Sequence, residues 1–87
     1  HLNIFMKTKL NPLVSILIAN YNNENYLTKC LNSVLNQKYK KIEVIVVDDY
    51  SNDNSLNILK KYKNSITIIK NKKKQNMVVL IKLMLIN

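Results

Sequence analysis

Three short apolar runs alternate with two stripes of apolar residues at helical spacing, and this alternation organises the chain. Leu13 to Ala19 (LVSILIA) follows Pro12 and is nearly unbroken in apolar residues, the mark of a strand buried on both faces. Asn20-Tyr21-Asn22-Asn23 ends the run with residue types that favour turns and helix N-caps. Tyr26, Leu27, Cys30, Leu31, Val34 and Leu35 then recur at i, i+1, i+4, i+5, i+8 and i+9, which predicts a helix of about three turns with one apolar face. Gln37 to Lys41 is a polar loop. Ile42 to Val47 (IEVIVV) is rich in β-branched residues and predicts a second buried strand. The polar run Asp48 to Ser55 leads into a second helix whose inner face is Leu56, Leu59 and Tyr62. Lys60, Lys61 and Lys63 lie at the end where the helix dipole favours cations. Ser65 to Lys70 (SITIIK) predicts a third strand.

The order β-α-β-α-β implies an α/β fold with a parallel sheet and right-handed crossovers, half of a doubly wound nucleotide-binding unit. Ligands of such sheets bind beyond the carboxyl ends of the strands. Two polar clusters occupy such ends, Ala19 to Asn22 and Asp48-Asp49. A carboxylate there can accept from ribose hydroxyls or a pyrimidine ring N–H, or hold Mg²⁺ through water. Asp49 is expected to contact ligand. For Asp48 two readings stand, ligand contact or capping of the following loop, because adjacent residues point different ways. Tyr21 either stacks on a base or forms an apolar lid on the sheet edge. Asn20 and Asn22 are ligand contacts or caps, with Asn22 expected to cap; Ser51 and Asp53 are expected in turn and cap roles.

Composition then removes several chemistries. The chain has no glycine, against a usual share of about 7%, so phosphate-cradling loops and the dinucleotide fingerprint are excluded. The VIVVDD run is like a Walker B strand without a Walker A loop. One cysteine, a single histidine at position 1 and five acids offer neither a metal cluster nor a Ser-His-Asp arrangement. Cys30 can form no intrachain disulfide and is expected to be a buried thiol. The formal net charge is +9, from 14 basic residues that are all lysine. This excess reads either as an electropositive surface or as the imprint of AT-rich coding. The absence of arginine and the scatter of the lysines through helix ends and loops argue against a nucleic-acid partner. Met77 to Ile86 is apolar but interrupted by Lys82 and too short to span a bilayer. A cytoplasmic location is expected. With 87 residues the chain holds one small domain at most, and such a domain buries only about 60–65% of its unfolded surface. A fragment of a larger protein is therefore expected, with residues 1–11 as an N-terminal extension and Met6 as the natural start.

Pro12-Leu13-Val14-Ser15-Ile16-Leu17-Ile18-Ala19-Asn20-Tyr21-Asn22 resembles the opening of glycosyltransferase family 2, P-x-V-S-V-I-I-P-T-Y-N. Leu27, Leu31, Ser33-Val34-Leu35, Gln37 and Tyr39 match its L-x-x-x-L-x-S-[VI]-L-x-Q-x-[YF] run. Glu43 to Asp53 (EVIVVDDYSND) is similar to E-I-I-V-V-D-D-G-S-x-D. The motifs stand in order, at the right separations, over residues 12–70. The resemblance implies a partial GT-A (Rossmann-like) half covering residues 12–71, which binds a nucleotide-sugar donor, often a UDP-sugar. It implies that Ala19 contacts the nucleoside, that Tyr21 packs on the base and that Asp49 hydrogen-bonds uracil or ribose, with Asp48 a weaker candidate. For the intact enzyme it implies a divalent metal (Mg or Mn), a glycan or lipid-linked acceptor, and a place in the cytoplasm or at the inner face of the membrane. Tyr50 departs from the family's glycine, so that turn needs a different backbone geometry. The family's metal-binding D-x-D, its catalytic base and its N-x-G segment have no match, so no catalytic residue and no bound metal are expected in this chain, and inactivity in isolation follows. Outside the resemblance, a small α/β regulatory module and a basic nucleic-acid binder are the alternatives.

Residues 72–87 form a basic and then apolar tail without a period. Met77-Val78 must be encoded ATG-GTN, and the frame starting at the last base of ATG reads GGT, a glycine codon. The shifted codon before it is Tyr or His, because an Asn codon ends in T or C. Three consecutive lysine codons at 72–74 form an A-rich run that invites slippage. The tail after about Lys74 is therefore expected to be out-of-frame translation; resequencing that finds an early stop in the shifted frame would refute this.

Overall fold

The structure, a computed structural model, describes residues 3–7, as main chain, and 13–74. The elements are β1 (Asn3–Lys7), β2 (Val14–Asn20), α1 (Glu24–Leu35), β3 (Ile42–Asp48), α2 (Ser55–Lys60) and β4 (Thr67–Lys70). They form a four-stranded sheet in the order β1-β2-β3-β4. β2, β3 and β4 are parallel, as the alternating pattern predicts. Val14 to Asn20 lie opposite Ile42 to Asp48, so the carboxyl ends of the two central strands are level.

Both strand faces are buried, for the reason the unbroken apolar runs suggest. Ile16, Ile18, Val44 and Val46 point to one face and pack with Leu27, Leu31 and Val34 of α1 and Ile58 and Leu59 of α2. Leu17, Ala19 and Val47 form a second cluster on the alternate positions, with Ile45 packed against it. The buried stripe of α1 is narrower than its sequence suggests: Tyr26 is 65% exposed, and Cys30 and Leu35 are only half-buried. Leu27, Leu31 and Val34, at i, i+4 and i+7, keep one face toward the sheet, and each such burial contributes about 1.5–3 kcal/mol. Cys30 is thus a half-buried thiol, and burial pushes its pKa up.

Two boundaries move. Ser65 and Ile66 do not open the third parallel strand, because both donate to the Tyr62 carbonyl and close the turn after α2. At the other end, Asn3–Lys7, expected to be only an extension, forms an antiparallel strand with Asn3 opposite Ala19 and Lys7 opposite Ser15. The edge of the first parallel strand, which half a sheet would leave open, is covered by this pairing. The tail beyond Lys74 lies outside the described residues.

Candidate functional site

The carboxyl ends of β2, β3 and β4 converge at one edge, and the segments leaving them are tied together. Asp49 donates its N–H to the Asn20 carbonyl (2.9 Å), and Asn71 donates to the Asp48 carbonyl (2.9 Å). These main-chain bonds extend the sheet pairing one residue past each strand and fix the two acidic side chains between β2 and β4.

The two aspartates take different roles. The Asp48 carboxylate turns toward the loop that follows it. It accepts from Asn20 Nδ2 (2.8 Å), from the Ser51 N–H (2.9 Å) and from Ser51 Oγ (2.7 Å). The side chains of Asn20 and Asp48 are fully buried, and a buried carboxylate is tolerable only with such donors. Because a carboxylate only accepts, the Asn20 amide must present its nitrogen there. Its Oδ1 has no partner among the described residues. Asp48 thus caps the turn, one of the two readings its position allows.

Asp49 points the other way. It accepts from Asn71 Nδ2 (3.0 Å) on one oxygen and from Lys74 Nζ (3.1 Å) on the other. The same Lys74 ammonium lies 3.8 Å from the centroid of the Tyr21 ring. Tyr21 is 37% exposed, while Asp49 has no exposed surface. The structure therefore brings Tyr21 and Asp49 to one ammonium and sets Asp48 apart. Ala19 is buried against Leu17 and Val47 in the second apolar cluster. Asn71 and Lys74 are the partners that sequence reasoning passed over. The signal was available, since they follow the third strand, whose carboxyl end obeys the same rule as the other two.

The remaining polar residues build the floor of this edge. Asn22 does not cap α1; the N-cap is Asn23, whose side chain makes no capping bond. Instead Asn22 donates from Nδ2 to Asn52 Oδ1 (3.0 Å) and accepts the N–H groups of Asn52 and Asp53 on its own Oδ1. Asp53 accepts from the Ser55 N–H (2.9 Å) and the Glu24 N–H (3.1 Å), so one carboxylate serves the starts of both helices. Burial alone would raise the Asp53 pKa; the bonds from Ser55, Glu24 and its own N–H outweigh it and hold the carboxyl below its ordinary value. Tyr50 sits at φ 63°, the left-handed geometry that the missing glycine would supply freely.

A divalent ion does not fit these residues. Among the described residues no three His, Cys, Asp or Glu side chains gather closely enough to hold a metal, and the carboxylates of Asp48 and Asp49 are engaged by other donors. An open groove of about 400 Å³ between α2 and β4 lies away from the Tyr21–Asp49 pair; it is lined by Asp53, Leu56, Asn57, Lys60, Ile68 and Lys70. It contains no residue from the carboxyl ends of β2 or β3. No described helix is long and apolar enough to cross a membrane.

Comparison with known proteins places this edge in context. The chain is 47% identical over 49 residues to the glycosyltransferase GlyA of Streptococcus pneumoniae serotype 4, covering 56% of this chain and 7% of that protein. It is 43% identical over 56 residues to the poly(ribitol-phosphate) β-N-acetylglucosaminyltransferase TarS of Staphylococcus aureus, covering 62% of this chain and 10% of TarS. An uncharacterised glycosyltransferase of Haemophilus influenzae matches at 41% over 64 residues, 70% of this chain and 20% of its own length. The crystal structure of S. aureus TarS 1–349 in complex with UDP superposes with a TM-score of 0.61 at 38% identity, covering 69% of this chain and 19% of that one. The chain thus spans a fifth or less of the length of these relatives. Its parallel sheet and helices are part of a GT-A domain. The description of glycosyl transferase family 2 matches residues 15–79, most of the chain and a little beyond its described part, and the chain belongs to that family.

Proposed function

We propose that this chain is the donor nucleoside-binding part of a glycosyltransferase that uses a nucleotide-sugar, with a UDP-sugar as the donor. The observation that carries the reading is the pairing of an exposed aromatic face, Tyr21, with a buried carboxylate, Asp49, at the carboxyl edge of a parallel sheet. A pyrimidine nucleoside matches both: its ring stacks on Tyr21 and its ring N–H or ribose hydroxyls donate to Asp49. Ala19, one residue before the end of β2, is the further nucleoside contact of this reading, and Asp48 acts by holding the loop that follows it. Similarity to a TarS structure holding UDP supports this choice of ligand. The acceptor is a glycan or lipid-linked precursor of a bacterial surface polymer, a reading supported by the bacterial relatives, and the reaction takes place in the cytoplasm or at the inner face of the membrane. The 87-residue chain alone is inactive in sugar transfer, because the residues at its site bind and orient a nucleoside but do not activate an acceptor or hold a leaving diphosphate through a metal.

The test is a titration of the 87-residue chain with UDP, with and without Mg²⁺, followed by amide chemical shifts. Saturable shifts near Tyr21 and Asp49, lost in Asp49→Ala, are the expected result. Base stacking on an aromatic ring is worth about 1–3 kcal/mol, so Tyr21→Ala weakens binding by about tenfold. A well-dispersed spectrum with no saturable shift would refute the reading.

A further inference from the structure

Lys74 occupies the place that the proposed nucleoside would take. Its ammonium lies 3.1 Å from Asp49 Oδ2 and 3.8 Å from the centre of the Tyr21 ring. Those are the donor position on the carboxylate and the face of the ring that a base would need. Asn71 holds the other carboxylate oxygen. The carboxylate is wholly buried, whereas the Lys74 side chain is 49% exposed. The lysine therefore has solvent to move into, while the carboxylate it leaves stays buried.

We propose that Lys74 is an internal competitor of the nucleoside, a surrogate that keeps the site satisfied while it is empty and that ligand must displace. This rests on the nucleoside reading of Tyr21 and Asp49. The physical logic is that breaking the ion pair of a buried carboxylate is costly even while Asn71 still donates to its other oxygen. An ammonium over an aromatic face is also stabilised by the ring's negative face. A ligand gains only the difference between its own contacts and those of Lys74. The device selects as well as weakens. A ligand that stacks but brings no N–H or O–H to Asp49 ejects the lysine and gives Oδ2 nothing in its place, so it is disfavoured. A ligand that does both offsets part of what is lost with the ammonium.

The test compares the whole chain with Lys74→Met, which keeps the length of the stem and removes the charge. The probe is uridine, which lacks the phosphates that would interact with lysine charge. Lys74→Met is expected to bind uridine roughly tenfold more tightly than the unaltered chain. In the unaltered chain the ε-methylene resonance of Lys74, shifted by the Tyr21 ring, should move to its solvent value as uridine saturates. Uridine binding equally tight or weaker in Lys74→Met, or saturation that leaves the Lys74 resonance in place, would overturn the proposal. If neither protein binds uridine, the nucleoside reading itself fails; the competitor proposal fails alone when both bind and Lys74→Met gains nothing.

Discussion

At the scale of single residues, two adjacent aspartates divide the work because a strand turns successive side chains to opposite sides. Asp48 faces Asn20 and Ser51, and Asp49 faces Asn71 and Lys74. As candidates, the acid pair and Tyr21 were legible in the sequence, since polar residues at a strand's carboxyl end mark the ligand edge of an α/β sheet. The choice between the two readings of Asp48 was not, nor were the partners of either acid, because they are distant in the chain: Asn20 lies 28 positions before Asp48, and Lys74 lies 25 after Asp49. Tyr50 follows from the same local geometry. Its φ of 63° costs a residue with a Cβ about 1–2 kcal/mol, while its side chain is 56% exposed and contributes little by burial. Glycine relieves the strain and gives back part of the gain through its freer unfolded state. Tyr50→Gly is therefore expected to stabilise the fold by about 0.5–1 kcal/mol, read as a higher midpoint in urea; an unchanged or lower midpoint would show that the turn carries no strain.

At the scale of elements, the two loops at the carboxyl edge act as one body. Asn22 reaches from the first loop to Asn52 and Asp53, and Asp53 reaches back to Glu24 at the start of α1. In neither helix does the N-cap side chain make a capping bond, and Asp53 supplies a carboxylate to both starts, where the helix dipole favours negative charge. The Asp53 pKa is lowered in the folded chain, so its contribution is present above the ordinary aspartate value of about 3.9 and is lost as pH falls through the lowered folded value. Melting temperatures measured from pH 6 downward should fall more steeply below about pH 4 in the unaltered chain than in Asp53→Asn; parallel curves would remove Asp53 from the acid response. The parallel strands and both helices were legible because apolar runs and stripes are set by burial, which is local to the pattern. Tyr26 and β1 were not. Tyr26 adjoins the buried stripe without belonging to it, and Asn3–Lys7 (NIFMK) has no period of its own and owes its strand to the free edge of β2.

At the scale of the whole molecule, both helices lie on one face of the sheet, as two successive right-handed crossovers require. The slot beside β2 is the one a fourth parallel strand fills in the doubly wound order 3-2-1-4-5-6, and here β1 fills it in the opposite direction. The segment after β4 has the sequence character of a tail because it follows the last recognisable motif, yet the topology returns it to Asp49 and Tyr21. The β1–β2 pairing also orders events in time. β1 and β2 are joined by a short connection and pair antiparallel, whereas β2 and β3 must first close a loop through α1, which places Asn20 28 positions from its partner Asp48. Contacts near in sequence form before distant ones because their loop-closure cost is smaller. Pulsed hydrogen exchange during refolding should therefore protect amides of β2 before those of β4, and simultaneous protection of both would show that the hairpin does not lead. During synthesis the same order gives the first apolar strand a partner as it leaves the ribosome, so its edge is shielded from neighbouring nascent chains before the strand that will flank it on the other side has been made.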